Sequence, residues 1–346
     1  MGPVTEIVGW DIGGVHTKAV WLRDGTLEQA RSASQAFEIW RADAELPDVL
    51  LSVYRSLGAV QPDAMAVTIT AELADCFESK RQGVLFVLDA LRRVFPDTPT
   101  YLLGLDQEFA ALETALEDPS RFAAANWLAS ALFVARYEPN CLLIDAGSTT
   151  TDLIPICEGR VVAEGRTDLE RLAAGELVYT GVLRSNPNTV ADRVPIRGRS
   201  CQVAAETFAL MGDVYLLLGL VGPDEYTAPT ADGGPKTSAG AHNRLARLVC
   251  ADAETLSAEE IQHLAWWLYE RQVQRVVEAA AQVRSRYPGA VWSLVAVGSG
   301  RFLAIEVGRR LGLPLADLHI PADALEVLPC LAVAALWQWG LDQGDR

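Results

Sequence analysis

Apolar residues along this chain fall into short runs closed by polar, glycine-containing turns, the pattern of buried strands in a mixed α/β protein. Two stretches carry it most clearly: IVGWDIGGVHTKAVWLRDG at 7–25 and CLLIDAGSTTTDLIPICEG at 141–159 each read as strand, turn and strand. Further strands are expected at 63–70, 98–103 and 292–297. Helices are expected at 43–57, 80–95, 120–137, 205–218, 241–249, 257–286, 302–311 and 325–340, with Trp266 and Trp267 of the longest packed into the core. The succession of elements begins again at Cys141, so the chain divides into an N-terminal lobe over 1–138 and a C-terminal lobe over 139–346. The second lobe carries an insertion around 160–250, whose turn-rich part over 160–201, with Asp168, Arg171 and Arg184, reads as substrate-facing, and the last helix is expected to pack back on the first lobe.

The two hairpins keep one register. Asp11 and Asp145 lie 134 positions apart, and the same offset carries Gly13 onto Gly147, Gly14 onto Ser148, Thr17 onto Thr151 and Gly25 onto Gly159. In such turns glycine lets backbone N–H groups approach an anion, and Ser and Thr hydroxyls add donors. Gly13, Gly14, Thr17, Gly147, Ser148 and Thr149 are therefore candidate phosphate contacts. Either copy alone would suit an ordinary Asx-Gly hairpin turn; the in-register repeat favours a clamp. A carboxylate about 4 Å from a phosphate oxygen is repelled by roughly 4 kcal/mol at an effective dielectric near 20. Asp11 and Asp145 thus call for an intervening cation, and Mg²⁺ binds through one or two carboxylates plus phosphate oxygens.

Three further features carry chemistry. Gly298-Ser299-Gly300 links an apolar strand to a helix, an arrangement that contacts anions or nucleotides at the helix N-terminus. Glu72 lies just past the strand ending at Thr70, either as a base or metal-shell residue at a strand end or as a helix-initiating acid. His16 sits in the first turn, as an anion donor or a solvent-facing side chain. The loop at 230–236 reads as a lid over a ligand or as a solvated linker, and Arg244 with Arg247 as an anion clamp or as surface ion pairs.

Composition narrows the partners. With 346 residues, half of them apolar, the chain can bury a large core. A net charge of −16 argues against nucleic acid or an anionic membrane and leaves small molecules as partners. No apolar run approaches the roughly 18 residues of a membrane span. The N-terminus lacks signal-peptide regions, so a cytoplasmic location is expected. The six cysteines are scattered, as expected of free thiols. No P-loop, G-x-S-x-G or H-E-x-x-H motif occurs.

The duplicated Asp-x-Gly hairpin and third Gly turn resemble the actin, sugar kinase and Hsp70 superfamily. Narrower blocks are GWDIGGVHTKA at 9–19, TAELADCF at 70–77, AANWLASA at 124–131, IDAGSTTTDLIPI at 144–156, TDLERLAAGELVYTGVLRS at 167–185, DVYLLLG at 213–219 and TADGGPKT at 230–237. Together they resemble the hydantoinase/oxoprolinase-related proteins of tetrahydromethanopterin-linked one-carbon pathways, whose archaeal members are similar to a synthase of methanofuran biosynthesis. The resemblance implies a two-lobed α/β fold of the actin-like ATPase (ribonuclease H-like) type with a duplicated phosphate-binding hairpin. It also implies a transferase in which the phenol oxygen of γ-glutamyltyramine, or a tyrosine analogue, displaces pyrophosphate from an (aminomethyl)furan-methyl diphosphate. On that reading Asp11 and Asp145 hold Mg²⁺, while Gly13, Gly14, Thr17, Gly147, Ser148, Thr149, Gly298 and Gly300 hold the diphosphate. Lys18 meets the leaving-group charge and Glu72 takes the phenol proton. Three rivals use ATP: a small-molecule kinase, a hydantoinase-like or oxoprolinase-like hydrolase, and a nucleotide-switched scaffold. The synthase reading does not require it.

Overall fold

The computed structural model describes residues 5–58 and 61–342. In the first half, β1 (Glu6–Gly13) turns through Gly14 and Val15 into β2 (His16–Arg23), and β3 (Arg31–Ala36), β4 (Ala64–Thr70), β5 (Thr100–Leu103) and β6 (Phe109–Ala111) follow. They form one sheet in the order β3-β2-β1-β4-β5-β6, with β1, β4 and β5 parallel and the other neighbours antiparallel. The second half supplies β7 (Cys141–Ala146), β8 (Thr151–Cys157), β9 (Arg160–Val161), β10 (Leu177–Val178), the separate hairpin β11 (Arg193–Ile196) and β12 (Arg199–Gln202), and β13 (Ser293–Val297). Its main sheet runs β10-β8-β7-β13, with β9 on β8, β7 antiparallel to β8 and parallel to β13.

Both sheets are covered on both faces, which explains why their central strands read as continuous apolar runs. Alternate residues of β1 separate accordingly: Ile7 enters the layer between the sheets, while Val8, Trp10 and Ile12 pack under the outer helices Leu46–Leu57 and Lys80–Val94. The second sheet is backed by Met211–Leu217, Ser238–Arg247, Ala258–Ser285 and Arg301–Leu311. Between the sheets lie the helices Asn126–Val134 and Leu328–Asp342, buried against residues of both. Contacts of Leu328–Asp342 reach β1, β2 and β4 of the first half.

The hairpin repeat extends to the backbone. Asp11 pairs with Lys18 across β1 and β2, and its counterpart Asp145 pairs with Asp152 across β7 and β8. Asp24-Gly25 and Glu158-Gly159, also 134 positions apart, all have positive φ.

Several local expectations change. The helix expected over 120–137 is shorter, Asn126–Val134, because the preceding segment is drawn onto the end of β4: Ala124 donates its N–H to the Ile69 carbonyl at 3.0 Å. That expected over 205–218 spans only Met211–Leu217, started by Asp213, whose carboxylate accepts the Leu210 N–H at 3.0 Å. Trp266 is half exposed rather than in the core, while Trp267 donates its indole N–H to the Arg193 carbonyl. The edge strands β3 and β6 have no counterpart in the sequence reading.

Candidate active site

The parallel pairings bring strand ends together. Gly13 lies beside Thr70 and Asp145 beside Val297, so the segments leaving β1, β4, β7 and β13 open into one cleft of about 820 Å³. Ligand sites of open α/β sheets form at such carboxyl ends. Asp11, Gly13, Gly14, Lys18, Glu72, Asp145, Gly147, Ser148, Thr149 and Gly298 all line it, as does His16.

Two candidates do not line the cleft. Thr17 alternates away from His16 and Lys18 along β2 and is fully buried, its hydroxyl without a partner. Gly300 donates its N–H to the Ala146 carbonyl at 2.7 Å, and a Cβ there would meet Val182 at 2.6 Å. It packs behind the second turn. By contrast, Gly298 has φ +84°, and a Cβ would stand 2.3 Å from the Asp145 carboxylate. Only glycine permits that approach.

Two other sequence candidates are structural. Arg244 is fully buried, bound to Asp213 at 2.7 Å and Asp232 at 3.1 Å, and Arg247 reaches the other Asp232 oxygen at 3.1 Å. These pairs anchor the 230–236 loop, which does not line the cleft.

The floor is strongly acidic. Asp11 accepts a hydrogen bond from the Thr68 hydroxyl at 3.3 Å, yet burial raises its pKa against the lowering effect of Lys18. Burial, with Asp152 next, raises Asp145 to about 7. Glu72 is 2% exposed, one carboxylate oxygen has no partner, and burial raises its pKa to about 7. The Lys80–Val94 helix fixes this residue, since Gly83 abuts the Glu72 backbone so closely that a Cβ would come within 2.6 Å. His16 goes the other way: burial, then Lys18 and Arg184, lower it to about 4, so its imidazole is neutral at pH 7.

Further charged residues of the cleft, to which the sequence reading gave no individual role, come from the substrate-facing segment after the second hairpin. Arg171 binds Asp152 at 2.9 Å and lies over the Trp127 ring at 4.1 Å. Asp168 pairs at 2.6 Å with Lys80, the first residue of the Lys80–Val94 helix. Arg184 pairs with Glu38 and lies over Trp40. Two signals were available: the repeat places Asp152 opposite Asp145, and the capping box of Thr167 and Glu170 starts a helix that presents Asp168 and Arg171 three residues apart.

Among the described residues no group of three or more His, Cys, Asp or Glu has metal-holding geometry. The donor set at Asp11 and Asp145 nevertheless fits Mg²⁺: hard carboxylate oxygens, two in number, beside turns that can present phosphate. Among the described residues the cleft lining holds eight carboxylate side chains against three cations, Lys18, Arg171 and Arg184, so an anionic ligand needs added positive charge. Leu73 and Tyr179, 61% and 57% exposed, give the same cleft an apolar flank.

The chain is 32% identical over 338 residues, covering 97% of it and 99% of the relative, to the (4-{4-[2-(gamma-L-glutamylamino)ethyl]phenoxymethyl}furan-2-yl)methanamine synthase of Methanocaldococcus jannaschii. It is 34% identical over 150 residues, 43% of its length and 67% of the relative, to the synthase of the same name from Methanococcus vannielii. The nucleotide-free structure of acetone carboxylase superposes with a TM-score of 0.56 at 10% identity, over 96% of this chain and 70% of that one. The sheet orders and this likeness give the fold as the actin-like ATPase type. The hydantoinase/oxoprolinase family description matches residues 63–338, and with a relative of this identity along nearly its whole length, the chain belongs to the hydantoinase/oxoprolinase family.

Proposed function

We propose that this protein is a transferase of methanofuran-type cofactor biosynthesis, joining an (aminomethyl)furan-methyl diphosphate to the phenol oxygen of γ-glutamyltyramine or its tyrosine analogue and releasing pyrophosphate. The observation that carries the reading is the 32% identity over 97% of the chain to a synthase of that product. The cleft supports it in three ways: it combines the duplicated phosphate turns, a buried carboxylate with a free oxygen, and an apolar flank for aromatic rings.

In this reaction the bond between the furan methylene carbon and the diphosphate oxygen breaks as the phenol oxygen bonds to that carbon, and the phenol proton leaves. The turns at Gly13-Gly14 and Gly147-Ser148-Thr149 meet the diphosphate with backbone N–H groups and the Ser148 and Thr149 hydroxyls, the Gly147 N–H itself being bonded to the Thr150 carbonyl at 2.8 Å, and these donors stabilise charge that grows as the leaving group departs. Lys18, with its ammonium donating to the Glu326 carbonyl at 3.2 Å beside the two aspartates, adds positive charge there. Mg²⁺ held by Asp11 and Asp145 would neutralise the diphosphate. Glu72 accepts the phenol proton; a phenol pKa near 10 makes a base useful, and a carboxylate raised to about 7 is better matched than an ordinary one.

The test is a mass-resolved incubation with Mg²⁺, the furan diphosphate and either acceptor, with and without ATP. An ether plus pyrophosphate in the absence of ATP is expected. Phosphoryl transfer or phosphate release only with ATP would replace this reading with the kinase or the hydrolase.

A further inference from the structure

Each phosphate turn has a strap bonded to it. On the first, Phe37 and Ile39 donate their N–H groups to the carbonyls of Val15 and Gly14 at 2.8 and 3.1 Å, which leaves Glu38 beside the turn. On the second, Val182 donates to the Gly147 carbonyl at 3.0 Å, and Leu183 and Arg184 donate to that of Ser148 at 3.1 and 2.9 Å. The ion pair between Arg184 and Glu38 therefore ties the two turns together across the cleft, from segments 146 positions apart.

The three cations found in the lining among the described residues differ in how far they are committed. Arg171 is 1% exposed, stacked on Trp127 and bound to Asp152 and to the Glu176 carbonyl, with its buried Nε unpartnered, so the cleft does not reach it freely. Lys18 faces the two aspartates. Arg184 lines the cleft with its guanidinium over Trp40, one arm on Glu38, and a buried Nε that has no partner. Arg184 is the more exposed of the two arginines, at 20%, and a planar guanidinium stacked on an aromatic ring suits bidentate phosphate binding once its carboxylate partner gives way. Glu38 is shared, since Arg41 holds its other oxygen at 2.9 Å.

Resting on the diphosphate reading above, we infer that Arg184 is a ligand of the substrate diphosphate and that Glu38 occupies its guanidinium until the diphosphate takes that place. A dianionic phosphate beside the first turn would be repelled by Glu38 and drawn by Arg184, so the pair opens toward the ligand and the two residues act on binding with opposite sign.

The experiment uses the full chain, with Arg184→Gln, Arg184→Lys and Glu38→Gln variants. Pyrophosphate and, separately, ADP are titrated calorimetrically with Mg²⁺ present, and KM is measured for the furan diphosphate and for the phenol acceptor. Arg184→Gln is expected to weaken pyrophosphate and raise the KM of the furan diphosphate about 10- to 100-fold, leaving the acceptor KM unchanged. Arg184→Lys recovers part of the loss. Glu38→Gln keeps or tightens pyrophosphate binding. A pair that serves only to bridge the lobes predicts that both neutral variants weaken binding alike, and that result would overturn the inference. So would unchanged pyrophosphate affinity in Arg184→Gln, or an effect on ADP or on the acceptor alone. Opposite shifts in pyrophosphate affinity with no ether formed by the wild type would uphold Arg184 as a diphosphate ligand while removing the synthase reading.

Discussion

Glu72 shows how placement rather than residue type makes a base. Its carboxylate is buried near Asp11 and Asp168, with the Lys80 ammonium opposing them, and burial is the largest reason its pKa rises to about 7. The consequence for stability has a definite sign. A carboxyl whose folded-state pKa lies above its ordinary 4.5 favours folding most below that value, and the contribution is lost as pH rises through 7. The span amounts to at most about 3 kcal/mol, so Glu72→Gln should flatten the fall in stability between those pH values in denaturant titrations. The same replacement should lower kcat by about 10²- to 10⁴-fold and abolish a rise in rate with pH near 7; an unchanged pH–rate profile would remove Glu72 as the base. Asp11→Asn and Asp145→Asn should each weaken Mg²⁺-dependent pyrophosphate binding without unfolding the chain, as read by calorimetry alongside circular dichroism. Much of this cleft was legible in the sequence because the repeat names both turns and both aspartates. Thr17 was misplaced because strand alternation decides which side chains reach the cleft, and a motif does not display it. Arg171 and Arg184 were read only as members of a substrate-facing segment, without contacts, because their partners Asp152, Glu38 and Trp127 come from other elements and only folding joins them.

At the scale of elements, the packing of the last helix depends on one missing side chain. Gly9 lies in β1 directly under the Leu328–Asp342 helix, and a Cβ there would stand 2.1 Å from the Cys330 carbonyl oxygen and 2.9 Å from the Ala334 Cβ. Backbone occupies that space, so it cannot yield by a rotamer change. Gly9→Ala should therefore destabilise the protein by about 1–3 kcal/mol in chemical denaturation. Normal stability would mean that the helix sits farther from the strand than the structure has it. The central strands β1, β4, β7 and β13 were readable because they are mostly buried on both faces and therefore read as apolar runs. The edge strands β3 and β6 were not, since their residues are mostly half-exposed or exposed and carry no such signal. Helix ends were misjudged where a tertiary bond overrides local propensity, as where Ala124 bonds to Ile69.

For the whole molecule, the layer between the two sheets decides how it unfolds. One buried cluster contains Ile7, Val20 and Ala66 of the first sheet, Leu143, Ile154 and Val295 of the second, and Leu331 and Val333 of the helix that lies between them. Neither sheet can lose this layer without exposing apolar surface of the other. The Lys80–Asp168 and Arg184–Glu38 pairs add links on the cleft side, although partly exposed pairs of this kind contribute little by themselves. The shared layer predicts one cooperative calorimetric transition, where lobes with separate cores would give two. A ligand touching turns of both halves must raise that single transition as a unit: pyrophosphate with Mg²⁺ at about 100 times its Kd should add about 2.7 kcal/mol. Two resolved transitions, or a ligand that shifts only part of the heat absorption, would show that the halves unfold separately and that the diphosphate is held by one of them alone.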